Sequence, residues 1–539
     1  MLRRRERCGW ASHRSRRPRG GGLSVAWQSL LPVVAVLASL LAAPAIVASR
    51  HRPNLREAAT LLAATVKLGA VVALLPMVLG GATPEIALIG LPPGVDLALR
   101  VDAAGLVFAL VASVLWLLTA VYAIGYVRQL AHPRQTRFFA SFAVCLSTAV
   151  GLAFAANLLT FLVFYELLTV ATYPLVVHTG SDAARAAGRR YLAYLLGGGA
   201  AILLATGLVY QAAGTLEFVA GGFVADHLDG GQLALVVALF TLGFGTKAAL
   251  MPLHAWLPAA MVAPTPVSAL LHAVAVVKAG IFGFVRAFGF VIGPDELAAV
   301  DGDVAVGALA VITLVGASVV ALRQDDLKRR LAFSTVAHLS YIILGLSLAT
   351  VTAWSGALLH LINHAALKIT LFFCAGALHA GPHLDRVSEL DGIGRRMPIT
   401  MGAFGLASLG LAGVPPLGGF VSKWFLVVGA FDAGRWVFGA ALLLAGLLSA
   451  AYLLPVVYRA FVKPGDAATV APSSAPAPAA AGADVAVDHG HAPPAQPSWL
   501  LVAPLAVTAL IAVALGLGDV LATGELASRA AGAVTGGGP

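Results

Sequence analysis

The chain has 539 residues, 59% apolar and only 11% charged, with a formal net charge of +10. So few charges cannot dress a water-exposed surface of ordinary polarity, which excludes a soluble globular protein. A basic balance would suggest nucleic acid for a soluble chain, but here the positive residues gather in particular loops, and no nucleic-acid partner is expected.

One crossing of a ~30 Å hydrocarbon core needs ~20 apolar residues. In chain order, the hydrophobic stretches predict fourteen transmembrane helices at 27–48, 57–80, 104–127, 138–155, 158–178, 191–210, 233–257, 264–292, 304–322, 331–350, 354–379, 399–429, 436–458 and 499–518. Each can satisfy its own backbone as a helix, which lipid demands. A transmembrane β-barrel would need ~10-residue strands of alternating polarity, and these are missing. The expected fold is therefore an all-α polytopic membrane protein. Residues 1–26 read as a basic N-terminal tail and 27–127 as three peripheral helices. The Ala/Pro/Ser/Gly-rich stretch 464–497, with His489 and His491, reads as a solvated, disordered cytoplasmic linker before the last helix.

Loops after odd-numbered helices hold 18 Lys/Arg, whereas loops after even-numbered helices and the C-terminal tail hold three, Arg100, Arg435 and Arg529. The positive-inside rule places the odd loops in the cytoplasm of a bacterial inner membrane and both termini outside. Residues 1–19 disagree, because they carry eight arginines. A twin-arginine signal is a poor reading, since Arg16-Arg17 precedes Pro18; a mis-set start or a tolerated tail fits better. Cys8, Cys145 and Cys374 form no pair motif, so no disulfide framework, metal or cofactor is expected.

Seven charges remain at membrane depth: Lys67, Glu166, Lys247, Lys278, Arg286, Lys368 and Lys423. A charge at the bilayer centre costs roughly 2.5–3.5 kcal/mol on insertion scales, so each needs a partner, water or a task. One carboxylate cannot neutralise six cations. His254, His272, His338, His360 and His364 also fall within predicted spans. His360, His364 and Lys368 recur at i, i+4 and i+8, which stacks them on one face of helix 11. His272 and Lys278 are six apart, about 120° around helix 8, and should face different neighbours. Lys67 and Arg286 read as structural, through snorkelling or an ion pair.

Two spans carry a lysine beside helix breakers. Lys247 follows Gly243 and Gly245 and precedes Pro252 and Pro258; Lys423 follows Pro415-Pro416-Leu417-Gly418-Gly419. Interrupted helices free carbonyls that can hold ions or water. Lying five spans apart, they predict broken helices 7 and 12 within two repeats, 138–292 and 304–458, in which Glu166 corresponds to His338.

These residues carry a resemblance. Phe164-Tyr165-Glu166-Leu167, the run from Lys247 to Pro258, Pro264 to His272 with Lys278, Gln324 to Arg329, Ser334 to His338, His360 to Lys368 and Pro415 to Lys423 occur in order over most of 104–460. The chain resembles the antiporter-like membrane subunits shared by respiratory complex I, membrane-bound hydrogenases and Mrp cation/proton antiporters, and looks closest to the Mrp D subunit. The resemblance implies fourteen helices, two inverted five-helix repeats and outward termini. It implies a proton path in which Glu166 pairs with Lys247, an axis runs through Lys278, His338, His364 and Lys368, and Lys423 is the last loading site; His360, on the same stripe as His364 and Lys368, joins the path as a candidate. His254 and His272 are secondary candidates. Expected partners are other membrane subunits, the lipid bilayer, H⁺, and Na⁺ or K⁺. The expected function is cation/H⁺ antiport, with proton pumping in a complex I-like or hydrogenase assembly as the alternative and a bicarbonate-uptake partner as a third. Without a P-loop, Rossmann glycines or a cysteine cluster, any redox chemistry would belong to partner subunits.

Overall fold

A computed structural model describes residues 24–91, 95–464 and 497–536. The arginine-rich tail with Cys8, and nearly all of 464–497 with His489 and His491, lie outside the described residues. Thirteen described helices are long and apolar enough to cross a membrane, beginning with Ser24–Ala48 and Pro53–Leu79 and closing with Trp436–Phe461 and Trp499–Leu517. Several start on a side-chain cap. Asp102 accepts from Gly105 N at 2.8 Å, Asn157 from Thr160 N at 2.9 Å, and Asp229 forms a capping box with Gln232. Such a cap contributes about 1 kcal/mol and fixes where each span leaves its loop.

The expected twelfth span is two helices of 15 residues, Pro398–Ala412 and Gly418–Asp432. Each rises only about 22 Å, short of a ~30 Å core. The seventh span stops at Lys247 rather than near 257, and turns over 248–255 lead to the one-turn helix Trp256–Ala259. Proline explains both interruptions, since Pro252 and the Pro415-Pro416 pair offer no N–H to a ladder. The glycines have a different job from the one expected. Gly243 is inside the helix, where a Cβ would fall 2.4 Å from Ile202 Cγ1 and 2.8 Å from Gly198 O, so it permits close packing on the sixth span, Asp182–Ala213. Gly418 and Gly419 open the second half-helix, and a Cβ on Gly419 would lie 1.9 Å from Gly410 O.

The eighth span is also divided, into Thr265–Ala273 and Val276–Arg286, followed by a π-turn over Ala287–Ile292. No glycine or proline stands at the Val274-Ala275 joint. The 120° separation expected of His272 and Lys278 therefore does not hold, because it assumed one continuous helix.

Two elements were not foreseen. The strands β1 (Glu85–Leu91) and β2 (Val95–Arg100) pair antiparallel, an exception to the all-helical expectation. Arg100 anchors them through ion pairs to Glu85 and Glu217 at 2.8 and 2.7 Å. A helix Thr523–Thr535 follows the last span and buries Leu526, Ala527 and Ala531 against the third span, Ala103–Gln129, and the eleventh, Val351–Ala380.

The core is formed by the eighth span, the tenth (Leu327–Ser347) and the eleventh, which are enclosed along their length. The first, second, thirteenth and fourteenth spans expose much of their apolar surface. The helices richest in histidine and lysine are thus the most deeply enclosed, the reverse of a water-soluble bundle.

Candidate functional site

The interior polar groups fall into two clusters. The first lies where the fifth span (Leu158–Val176), the sixth and the end of the seventh meet. Lys247 is the last residue of its helix, where the terminal dipole favours a cation. It is completely buried, and its Nζ donates to Tyr165 O at 2.6 Å while lying 3.3 Å from the Tyr165 ring centroid. Among the described residues Glu166 has no ion pair with Lys247 within 4.0 Å, and neither carboxylate oxygen has a hydrogen-bond partner. The two members of the pair expected from the resemblance stand on different helices, and Lys247 holds the carbonyl of Tyr165, the residue before the acid.

What positions Glu166 is the glycine run of the sixth span. A Cβ on Gly199 would fall 2.0 Å from Glu166 Oε1, and one on Gly198 would fall 2.9 Å from Thr246 Cβ. A cleft of about 320 Å³, lined by Tyr194, Gly197, Gly198, Leu242, Thr246 and Leu253, opens beside this junction.

The second cluster is built by the eighth, tenth, eleventh, twelfth and thirteenth spans. Lys278 Nζ meets His364 Nδ1 at 3.0 Å. His338 Nδ1 meets His360 Nε2 at 3.1 Å, and His360 Nδ1 meets Ser422 Oγ at 2.9 Å. His338 Nε2 faces Ser449 Oγ at 3.4 Å, and the chain continues from Ser449 to Tyr452 OH (3.2 Å), Ser334 Oγ (2.9 Å) and Lys368 Nζ (2.6 Å). His338 is therefore a node joining two branches. The His364 ring lies 5.6 Å from it, centroid to centroid, without a hydrogen bond. Lys423, next to Ser422, donates to Leu411 O at 2.5 Å and Ala412 O at 3.2 Å, the carbonyls that end the preceding half-helix. The break in the twelfth span thus makes its own lysine anchor.

Chemically, a neutral imidazole accepts at one ring nitrogen and donates at the other, and hydroxyls do both, so the network can pass a proton hand to hand. Among the described residues no hydrogen bond joins Lys247 to Lys278, although Gly280 seats that half-helix on the Lys247 backbone, with a Cβ position 2.9 Å from Lys247 C.

The structure brings together Lys278, His338, His360, His364, Lys368 and Lys423, and separately Glu166 and Lys247. It sets His254 in the turn after Lys247, its ring 6.0 Å from Phe333 and its Nδ1 without a partner. His272 packs on Phe372 at 4.7 Å with both nitrogens unpartnered. Arg286 forms an ion pair with Asp102, at 2.5 Å. Lys67 neither snorkels nor finds a described carboxylate; it is fully buried, bonded to Leu146 O at 2.6 Å and lying over Trp116. Cys145 and Cys374 are buried free thiols.

Sequence reasoning missed Ser449, Tyr452 and Gly199, and also Tyr341, whose ring stacks on His338 at 5.3 Å and lies 4.8 Å from Lys423 Nζ. The i, i+3 spacing of Ser449 and Tyr452 in an apolar helix, and the run Gly197-Gly198-Gly199, were the available signals.

Comparison with known proteins bears on the family and the fold. The family described as NADH:quinone oxidoreductase/Mrp antiporter, transmembrane, matches residues 155–449. NADH-quinone oxidoreductase subunit N of Desulforudis audaxviator is 36% identical over 382 residues, covering 69% of this chain and 74% of that protein. A probable K⁺/H⁺ antiporter protein of Rhizobium meliloti is 34% identical over 336 residues, which is 61% of this chain but only 32% of that longer protein. A chain in the structure of the Mrp complex from Dietzia sp. DQ12-45-1b superposes with a TM-score of 0.82 at 24% identity, over 94% of this chain and 98% of that one. The protein is a polytopic membrane protein with the fold of that chain, and it belongs to the NADH:quinone oxidoreductase/Mrp antiporter transmembrane family.

Proposed function

We propose that this chain is the proton-translocating membrane subunit of a multisubunit monovalent cation/H⁺ antiporter. The observation that carries this reading is the hydrogen-bonded run from Lys368 through Ser334, Tyr452, Ser449, His338 and His360 to Ser422, ending beside Lys423. A helix bundle held by packing alone has no use for so many titratable groups in its enclosed centre. Glu166 and Lys247 form the switching end. A shift of the Glu166 carboxylate toward or away from Lys247 changes how firmly the lysine keeps its proton, and the released proton passes by Lys278 and His364 to the His338 node, which exchanges protons with Lys368 through Ser449, Tyr452 and Ser334, and on through His360 to Lys423. Water bridges the step from Lys247 to Lys278 and the step from His364 to His338.

In this reading the loops after odd spans face the cytoplasm of a bacterial inner membrane and both termini lie outside. Residues 138–292 and 304–458 act as two inverted repeats, each with an interrupted span whose lysine is tied to a backbone carbonyl. Other membrane subunits supply the cation pathway for Na⁺ or K⁺. A second reading, proton pumping in a complex I-like or hydrogenase assembly, draws on the likeness to the subunit N relative.

The test uses the whole complex in inverted vesicles with an imposed pH gradient. Adding Na⁺ or K⁺ should collapse the gradient without any electron donor. Proton movement only when a quinone-reducing or hydrogen-consuming reaction runs would replace the first reading with the second.

A further inference from the structure

Four histidines outside the interior row gather on the face that carries the arginine-rich loops. His132 follows the third span, His178 the fifth, and His379 and His383 end the eleventh. The rings form a chain of contacts: His383 to His379 at 6.0 Å, His379 to Tyr126 at 6.4 Å, Tyr126 to His132 at 5.6 Å, and His132 to His178 at 6.1 Å. Among its histidines exposure falls from open His383 through half-buried His379 and His132 to His178, which is buried with neither side-chain nitrogen in a side-chain hydrogen bond, and Tyr126 between them is buried. Asp385 grips His379 Nδ1 at 2.9 Å.

Behind Tyr126 a polar stripe leads inward. Tyr126 OH meets Thr265 Oγ1 at 3.3 Å, and Thr265, Ser268 and His272 follow at i, i+3 and i+7 on one face of the half-helix Thr265–Ala273. All three are fully buried, and Ser268 Oγ and both His272 nitrogens lack protein partners. His272 packs at a tilt on Phe372, which is one turn from Lys368.

We propose that His383, His379 and Asp385, backed by His132 and His178, form a proton-collecting mouth that feeds the interior row through Tyr126 and the Thr265–Ser268–His272 stripe. The inference rests on the proton-translocating reading above and names where its protons are taken up. Each transfer makes one N–H or O–H bond as it breaks another, with water bridging the gaps between the rings and Tyr126 OH passing a proton on to Thr265 Oγ1 as it accepts one from a bridging water.

The charged surroundings suit the division of labour. Burial, with His379 and Lys328 nearby, holds His132 at about 4; burial, with His132, Arg137 and Arg134, does the same for His178. Both are neutral at pH 7 and pass protons rather than store them. Burial alone would raise the Asp385 carboxyl, but the His379 hydrogen bond and the charges of His379, Lys328 and His383 outweigh it and hold it below its usual range. The mouth therefore keeps an anion beside its exposed imidazoles.

The test measures proton uptake by the intact complex in oriented vesicles, with the pH of the arginine-rich face varied from 6 to 8, for the double variant His379→Phe/His383→Phe and for Asp385→Asn. Where protons are scarce, at pH 8, uptake should fall about tenfold, the scale on which charged surface groups raise capture rates, and it should approach the unaltered complex at pH 6. Varying pH on the opposite face should not separate them. Unchanged uptake, or a loss equal at every pH, overturns the mouth while leaving the function standing; no proton flux in the unaltered complex overturns both. Asp385→Asn keeps both rings, so a collapse confined to the double variant, with Asp385→Asn unchanged, also counts against the proposal.

Discussion

The two interior clusters are built on opposite principles. Around His338 almost every polar atom is spoken for: of the ring nitrogens of His338, His360 and His364, only His364 Nε2 lacks a protein partner. At the other end Glu166 has two free oxygens and sits in a glycine hollow beside a cleft, with Lys247 tied to a carbonyl instead of to the acid. A satisfied network holds one geometry, while an unsatisfied buried carboxylate has a strong incentive to change partners. The loose end is suited to switching and the tight end to conduction.

That contrast breaks most completely at the loose end. Lys247→Ala and Glu166→Ala should each reduce proton flux in vesicles to background while the complex still assembles. Flux near the normal level in either variant removes the pair from the mechanism. Next in size, His338→Phe severs the node that joins both branches, and flux should drop about 100-fold, at the low end of what a positioned acid–base group contributes. A loss equal to that of Lys247→Ala would mean that the tight end also gates.

A sharper probe is Gly199→Ala, which replaces no titratable group. Its methyl would occupy the place of Glu166 Oε1, so the carboxylate must move, and flux should change several-fold with the yield of assembled complex intact. An unaltered flux would show that the acid works equally well elsewhere. The smallest effect is expected from Ser449→Ala, which removes the hydroxyl that bridges His338 at 3.4 Å and Tyr452 at 3.2 Å. At about 0.5–1.5 kcal/mol for a hydrogen bond, a threefold to tenfold loss is expected, confined to the Lys368 branch. Restoration by Ser449→Thr would separate a hydroxyl requirement from packing.

Much of this architecture is legible in the chain because lipid is an unforgiving solvent. Apolar runs of one membrane thickness must be helices, and a lysine in mid-span calls for a partner, water or a task. The stripe His360, His364 and Lys368 follows from helical periodicity alone. The hairpin of β1 and β2 escaped notice because its two-residue alternation is weak within a chain that is apolar nearly everywhere. The joint at Val274-Ala275 has no proline or glycine to announce it; neighbouring spans impose it.

By its sequence alone the protein is a many-spanned membrane chain with a row of titratable groups, because composition and period are local and additive. Only the tertiary structure decides who meets whom. It decides that Lys247 holds Tyr165 O rather than Glu166, that His338 joins two branches through Ser449 and His360, and that Lys423 closes the half-helix before it. Those partners come from helices up to 111 residues away in the chain, and packing, not periodicity, brings them within 3.5 Å.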